Sequence, residues 1–220
     1  MWESGDVASA AWFVTVLVLA EIARRRLRVA SDVTRKVSLG ALGLWSVPAV
    51  HLYSHPDRAA LPFLLLAGAL YLSFRFELLA AVENDGAGLG SVLGPASAAL
   101  LLALVPEARS YVAVSGILAM SLGDTTAALV GRRLGTKRYR VLGHPRTMEG
   151  TLALFLAASA AQAVTLATMG NLDVHQAVAF ALIAGTVAAV VEMASVYGSD
   201  NLTVPLASAL TLLALLGAVQ

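Results

Sequence analysis

The sequence predicts an all-α fold, a polytopic bundle of seven or eight transmembrane helices that forms one membrane domain over residues 1–220. Hydrophobic residues make up 58% of the chain and charged residues only 13%, whereas soluble chains carry about 25% charged residues. Apolar stretches long enough to cross roughly 30 Å of hydrocarbon recur along the whole length. The chain contains no cysteine, which excludes disulfides, thiolate nucleophiles and Cys-based metal sites. We therefore expect an integral protein of the cell membrane.

The helices are predicted from the apolar runs between charged residues. The runs are 7–23, 37–54, 59–80, 91–106, 110–131, 150–170, 175–197 and 202–219. The runs 91–106 and 202–219 give the weakest signals, so the expected count is seven or eight. Glu3 and Asp6 precede the first run and arginines follow it. This order is the reverse of that in a cleavable signal peptide.

Positive charges are distributed unevenly over the connections between these helices. An outside N-terminus puts connections 24–36, 81–90, 132–149 and 198–201 inside. Only Arg58 and Arg109 then lie outside, and Arg75 lies within a span. This bias follows the positive-inside rule, so the basic face is predicted to be cytoplasmic. Of the inner basic residues, Arg24, Arg25, Arg26 and Arg28 are expected to anchor the topology and to contact anionic headgroups. The other inner basic residues are Arg35, Lys36, Arg132, Arg133, Lys137, Arg138, Arg140 and Arg146.

One aspartate interrupts the fifth apolar run close to its inner end. Asp124 follows Gly123 and precedes a series of threonines and alanines. Ionisable side chains within a membrane span are expensive, and they are normally paired, hydrated or functional. The small residues around Asp124 would allow another helix or a ligand to approach closely. Asp124 is therefore a candidate catalytic or metal-binding residue.

A basic connection, predicted to be a flexible loop, follows Asp124 and ends where the next span opens with Thr147 and Glu149. Its cations are Arg132, Arg133, Lys137 and Arg146. A carboxylate followed by several cations suits a metal–phosphate complex, because Mg²⁺ takes one or two carboxylates together with water and phosphate oxygens. Thr147 is expected to cap the helix, beside amides that favour anions. The alternative is that Asp124 pairs with an arginine to fix helix packing, and that the loop only sets the topology.

The order of residues across Gly123–Gly150 resembles a motif shared by the dolichol kinase and phytol kinase family and by the related phosphatidate cytidylyltransferases. The matching elements are Gly123-Asp124, a small residue, Gly131-Arg132, Gly135, a basic stretch, and Arg146-Thr147-Met148-Glu149-Gly150. The resemblance implies a membrane enzyme that uses CTP and Mg²⁺.

Two further segments resemble the kinase branch. Glu192 lies near the end of an apolar run and is followed by Asp200-Asn201-Leu202-Thr203-Val204-Pro205. The C-terminal His-Gly-Gly-x-x-Asp-Arg signature of the cytidylyltransferase branch is absent from the sequence. Arg35-Lys36 resembles an Arg-Lys pair early in the kinase family, although Leu39 stands where a histidine often follows. The resemblance therefore implies a lipid-alcohol kinase.

The resemblance also implies roles for individual residues. Asp124, Glu149 and Asp200 would hold one or two Mg²⁺ ions, and with Glu192 they form the expected catalytic set. The expected nucleotide-binding residues are Gly123, Arg132, Arg133, Lys137, Arg146, Thr147, Asn201, Arg35 and Lys36. One carboxylate would orient or deprotonate the substrate hydroxyl. The loop Glu83–Asp85 is interpreted as solvated, although it could add a metal ligand.

The expected partners are a lipid alcohol, a nucleoside triphosphate and membrane lipids, with no nucleic acid. The alcohol, such as phytol, a polyprenol or dolichol, is not determined by the residues, and neither is the oligomeric state. Two alternatives remain at this point. One is a cytidylyltransferase that makes a CDP-activated lipid, and the other is a transporter, for which no internal repeat was found.

Overall fold

The computed structural model describes residues 3–79, 81, 89–141 and 144–218. Short 3₁₀ turns at Pro56–Ala59 and Glu107–Arg109 precede α4 and α6, and two strands separate α6 from α7. The predicted all-α fold is confirmed. The elements are α1 Ser4–Arg25, α2 Ser31–Leu44, α3 Ser46–Leu52, α4 Ala60–Phe76, α5 Gly90–Leu104, α6 Ser110–Leu134, β1 Arg138–Val141, β2 His144–Thr147, α7 Met148–Thr168, α8 Val174–Ala194 and α9 Asp200–Ala218.

Six helices of the described chain are long and apolar enough to span a membrane, namely α1, α4 with its 3₁₀ turn, α6 with its 3₁₀ turn, α7, α8 and α9. Helix α5 is apolar but has only 15 residues. Gly90 of α5 lies beside Arg35 of α2 and beside Gly198 and Asn201 at the start of α9, and Gly131 of α6 lies beside Gly150 of α7. The amino ends of α2, α5, α7 and α9 therefore meet the carboxyl ends of α6 and α8. The chain is an integral membrane protein, and its candidate functional residues lie at that one end of the bundle.

The predicted span 37–54 is divided into α2 and α3. Helix α2 ends at Leu44 because Pro48 has no amide hydrogen to donate to the Leu44 carbonyl, and its ring would clash with that carbonyl. At its other end α2 begins at Ser31. Arg35 and Lys36 therefore lie inside the helix, not in the connection to which the apolar pattern assigned them. The helical position directs both side chains into the bundle.

Helix α6 lies at the centre of the bundle and packs against α2, α7 and α9. Its contacts with α2 and α7 depend on glycine. A Cβ on Gly43 of α2 would lie 2.6 Å from Ser121 Cβ, and a Cβ on Gly123 would lie 3.2 Å from Leu154 Cγ of α7. The close approach predicted around Asp124 is thus present. It brings Thr125 Oγ1 within 2.9 Å of the Lys36 carbonyl, to which it donates a hydrogen bond.

The basic connection is more ordered than the predicted flexible loop. Helix α6 continues to Leu134, so Arg132 and Arg133 lie in its last turn. Strands β1 and β2 then pair antiparallel, with Tyr139 opposite Arg146 and Val141 opposite His144. Exposed arginines alternate with half-buried residues along β1, which is the two-residue period of a strand with one face covered. Each strand has only four residues, and so short a pattern did not stand out from a positive-inside loop.

Candidate active site

Three carboxylates meet at the basic end of the bundle. Asp124 comes from α6, Glu192 from α8 and Asp200 from the first turn of α9. One carboxylate oxygen from each lies within 4.8 Å of the other two. Asp124 and Glu192 are both only 5% exposed. Three acidic groups this close repel one another strongly in a low-dielectric interior, so the site requires cations.

Two of those cations come from α2 and from the hairpin. The Lys36 ammonium forms an ion pair with Asp124, and the Arg146 guanidinium forms one with Glu192. Arg146 also donates a hydrogen bond to the Ser195 carbonyl at 2.8 Å, which joins β2 to the end of α8. Removing either cation would leave a buried carboxylate without its partner. These pairs therefore hold α2, the hairpin, α6 and α8 in one arrangement.

Arg35 is a third cation beside the carboxylates, and it differs from the other two. Its side chain is 8% exposed, and its Nε has no hydrogen-bond partner. Within the described residues it forms no ion pair, although Asp200 is near enough to interact with its charge. A Cβ on Gly90 would lie 3.2 Å from both Arg35 Nη1 and Asn201 Nδ2. Glycine at position 90 therefore leaves space for the guanidinium beside Asn201.

Asn201 supports the third carboxylate from the next position of α9. Its side chain is buried, and its Nδ2 donates to the Gly198 carbonyl at 3.3 Å and to Asp200 Oδ1 at 3.4 Å. The contact with Gly198 ties the start of α9 to the connection before it. Asn201 was expected to bind nucleotide, and in the structure it lies beside Asp200 and Arg35.

The start of α7 is organised by the residues of the Arg146–Gly150 segment. Thr147 caps the helix by accepting a hydrogen bond from the Gly150 amide at 3.1 Å, as predicted. Glu149 accepts bonds from the Thr136 amide at 3.1 Å, the Thr136 hydroxyl at 2.6 Å and the Lys137 amide at 3.1 Å. Its carboxylate therefore holds the connection before β1. The structure does not bring Glu149 into the cluster of Asp124, Glu192 and Asp200.

The predicted phosphate-binding cations fall into two groups. Arg35, Lys36 and Arg146 are brought to the carboxylate cluster, whereas Arg133 and Lys137 are exposed. Arg132 donates to both oxygens of Asp32, at 2.7 and 2.6 Å, and about half of each side chain in this pair is accessible. This ion pair, in which Arg132 Nη1 contacts both carboxylate oxygens, joins the end of α6 to the start of α2. Asp32 is not among the residues predicted from the sequence, although its position one helical turn before Arg35 and Lys36 could have indicated it.

Two cavities meet at Lys36 and Asp124. One is polar, and its wall includes Arg146, Thr147, Gly131, Gly150 and Glu192. The other is a narrow cleft between α2, α5, α6 and α9 that extends to Phe63 of α4, with a mainly apolar wall. The first cavity has a volume of about 220 Å³ and suits a charged ligand. The cleft has a volume of only about 30 Å³, so it suits no more than the end of an apolar ligand. The segment Glu83–Asp85, considered as a further metal ligand, lies outside the described residues.

The comparisons with known proteins gave one informative match. A curated protein named phytol kinase, from Synechocystis sp. (strain ATCC 27184 / PCC 6803 / Kazusa), is 35% identical over 215 residues, which are 96% of this chain and 90% of the relative. No family model matches the chain. No solved structure matches it either.

The buried pair between Arg146 and Glu192 is testable as a unit. We expect Arg146→Met to destabilise the protein by about 3–5 kcal/mol, because it leaves a buried carboxylate unpaired. The double variant Arg146→Met with Glu192→Leu should recover most of that loss. Thermal unfolding in detergent measures both. Arg132→Met is the control, since its exposed pair with Asp32 should contribute under about 1 kcal/mol. Equal losses in the single and double variants would contradict the coupling.

Proposed function

This chain belongs to the phytol kinase family, and on that premise we propose that it is a CTP-dependent kinase that phosphorylates the hydroxyl of a membrane lipid alcohol. The acceptor class is phytol, a polyprenol such as dolichol, or a similar alcohol. The proposal includes Mg²⁺ as the cofactor and the cytoplasmic face as the location of the site. The kinase activity is supported by the name of the similar protein, phytol kinase, and by the similarity covering 96% of this chain. CTP is supported by the motif resemblance alone.

The observation that carries the proposal is the meeting of two unlike cavities at Lys36 and Asp124. A kinase for a lipid alcohol must bring a highly charged nucleotide and an apolar chain to the same atoms. The polar cavity suits the phosphates, and the apolar cleft suits the hydroxyl-bearing end of the alcohol. Asp124 borders both cavities, which is the position required of a group that contacts the hydroxyl and the phosphate donor together.

The carboxylate cluster fits a magnesium ion. Mg²⁺ binds oxygen ligands at about 2.1 Å, so oxygens that share one ion lie up to about 4.2 Å apart. The oxygens of Asp124, Glu192 and Asp200 lie within 4.8 Å of one another, close to that requirement. The bound ion would supply charge neutralisation of the triphosphate. We assign these three residues as its ligands and assign Glu149 to holding the loop at Thr136 and Lys137.

The remaining residues position the reactants. We propose that Arg35 donates hydrogen bonds to the transferring γ-phosphoryl group, since it is the buried cation of the described site without an ion pair. Lys36 and Arg146 keep their carboxylates ionised and oriented. One carboxylate of the cluster accepts the proton of the alcohol as the alcohol oxygen bonds to phosphorus and the bond to the departing nucleoside diphosphate breaks. Such catalysis depends mainly on positioning and charge neutralisation.

Incubation of the detergent-purified protein with Mg²⁺ and γ-labelled CTP tests the proposal directly. Separate reactions contain phytol, a polyprenol, dolichol, diacylglycerol or phosphatidate. We expect label on phytol or a polyprenol, because only phosphoryl transfer to a hydroxyl moves the γ-phosphorus to lipid. Pyrophosphate release with phosphatidate and no labelled lipid would mean a cytidylyltransferase. Equal transfer from ATP would remove the CTP preference and leave the kinase.

Replacement of Asp124 tests the centre of the mechanism. Asp124→Asn keeps the size of the side chain but removes its charge and its capacity to accept a proton, so turnover should fall about 10³-fold or more. Initial rates measure this loss, and size-exclusion chromatography checks that the variant remains folded. Glu107→Gln, an exposed carboxylate before α6, is the control and should retain full activity. A folded Asp124→Asn protein with normal turnover would remove Asp124 from catalysis.

Replacement of Arg35 tests the phosphate contact. Loss of a charge-assisted hydrogen bond costs about 1.5–3 kcal/mol, so kcat/KM for the nucleotide should fall roughly 10- to 150-fold in Arg35→Gln. Arg35→Lys should recover part of that loss. Arg138→Gln, an exposed arginine on β1, should change kcat/KM little. Lowered thermal stability of Arg35→Gln with unchanged kcat/KM would assign Arg35 to packing alone.

The orientation is testable because the chain has no native cysteine. We expect Asp57→Cys to react with a membrane-impermeant thiol reagent in intact cells, and Arg140→Cys to react only after the cells are opened. Both residues are exposed, so access depends on the side of the membrane. The reverse pattern would place the carboxylate cluster outside the cytoplasm and remove it from the soluble nucleotide pool.

A further inference from the structure

Tyr197 has an unusual environment in the connection between α8 and α9. It lies three residues beyond Ala194, the last residue of α8, and it is 68% exposed. Its backbone is left-handed, with φ of 54°, and Gly198 follows with φ of 79°. A residue with a Cβ rarely adopts this conformation, and such strain persists where the surrounding structure holds it in place. Tyr197 is one of four non-glycine residues with positive φ in the described chain, so the connection after α8 is a strained point of the backbone.

The ring of Tyr197 contacts the hairpin. Its centroid lies 5.1 Å from that of His144, at an interplanar angle of 86°. This is the edge-to-face arrangement that aromatic rings prefer. Arg146, two residues after His144, donates a hydrogen bond to the carbonyl of Ser195, two residues before Tyr197. The hairpin and the connection after α8 are thus joined twice, once by a charged hydrogen bond and once by the aromatic pair.

The aromatic pair is adjacent along the chain to residues that line the polar cavity, although neither ring lines it. His144 immediately precedes Pro145, Arg146 and Thr147, and these three residues form part of that cavity's wall. An edge-to-face pair leaves much of the ring surface uncovered, and the high exposure of Tyr197 shows that little of the described chain covers it. Arg146 lines the cavity and contacts Ser195, two residues before Tyr197, so a ligand group that extends past Arg146 would approach these rings.

We propose that Tyr197 and His144 form the platform on which the nucleobase of the donor nucleotide stacks. This inference rests on the proposed function, since it requires the phosphates to occupy the polar cavity. Stacking on aromatic side chains accepts every base, because every base has a π face. Tyr197 would supply the stacking surface, and His144 would hold its ring in position. The alternative is that the exposed ring of Tyr197 lies among lipid headgroups.

Equilibrium binding in detergent distinguishes a nucleobase contact of Tyr197 from a lipid-headgroup contact, and it does not rely on turnover. The probes are labelled CTP, UTP, ATP and GTP with Mg²⁺, and inorganic tripolyphosphate as a competitor that has no base. Tyr197→Leu keeps an apolar side chain but removes the aromatic face. We expect it to weaken binding of the tightest nucleotide about tenfold, a typical value for one stacked base. Its affinity for tripolyphosphate should remain unchanged.

Three further variants sharpen the test. Tyr197→Phe should restore nucleotide affinity, His144→Ala should weaken it less than Tyr197→Leu does, and Tyr71→Leu on α4 is the control for an exposed tyrosine elsewhere. Equal loss of nucleotide and tripolyphosphate affinity, or no loss of either, in Tyr197→Leu would overturn the platform and leave the proposed function standing. Failure of the unaltered protein to bind any nucleotide or tripolyphosphate would overturn the proposed function, and the platform with it.

Discussion

The mutual repulsion of three carboxylates at the end of an apolar bundle is the constraint on which the arrangement of this protein depends. Asp124, Glu192 and Asp200 come from three helices, and each oxygen lies within 4.8 Å of the others. Negative charges this close together and buried away from water are stable only with cations beside them. Lys36 and Arg146 form ion pairs with two of the three carboxylates. The site is therefore also a structural junction between α2, α6, α8, α9 and the hairpin.

This constraint accounts for features that are otherwise hard to explain in a membrane protein. Helix α2 starts before its apolar run and carries two cations into the bundle, where the glycine contact at Gly43 brings it against α6. The hairpin crosses the end of the bundle and delivers Arg146 to Glu192. An ion that binds the carboxylates would reduce their repulsion, so binding at this site would also stabilise the surrounding helices.

The sequence and the structure agree best where the signal is local. The apolar runs predicted the helices, because each run must match the thickness of the bilayer. Thr147 was recognised as a helix cap from its position before Glu149 and Gly150, and the cap is present. Agreement fails where distant contacts decide. Glu149 lies within the motif but accepts bonds from Thr136 and Lys137, and the four-residue strands were hidden in a basic loop.

The sequence by itself determined the membrane-spanning class of the protein, the charge asymmetry between its two faces, and the residues that carry its family resemblance. These properties depend on composition, periodicity and order along the chain. Only the tertiary structure decided that Glu192 joins Asp124 and Asp200 while Glu149 does not, and that Arg35 is buried without an ion pair among the described residues. Such choices follow from helix rotation and close packing, which place residues far apart in sequence within a few ångströms of one another.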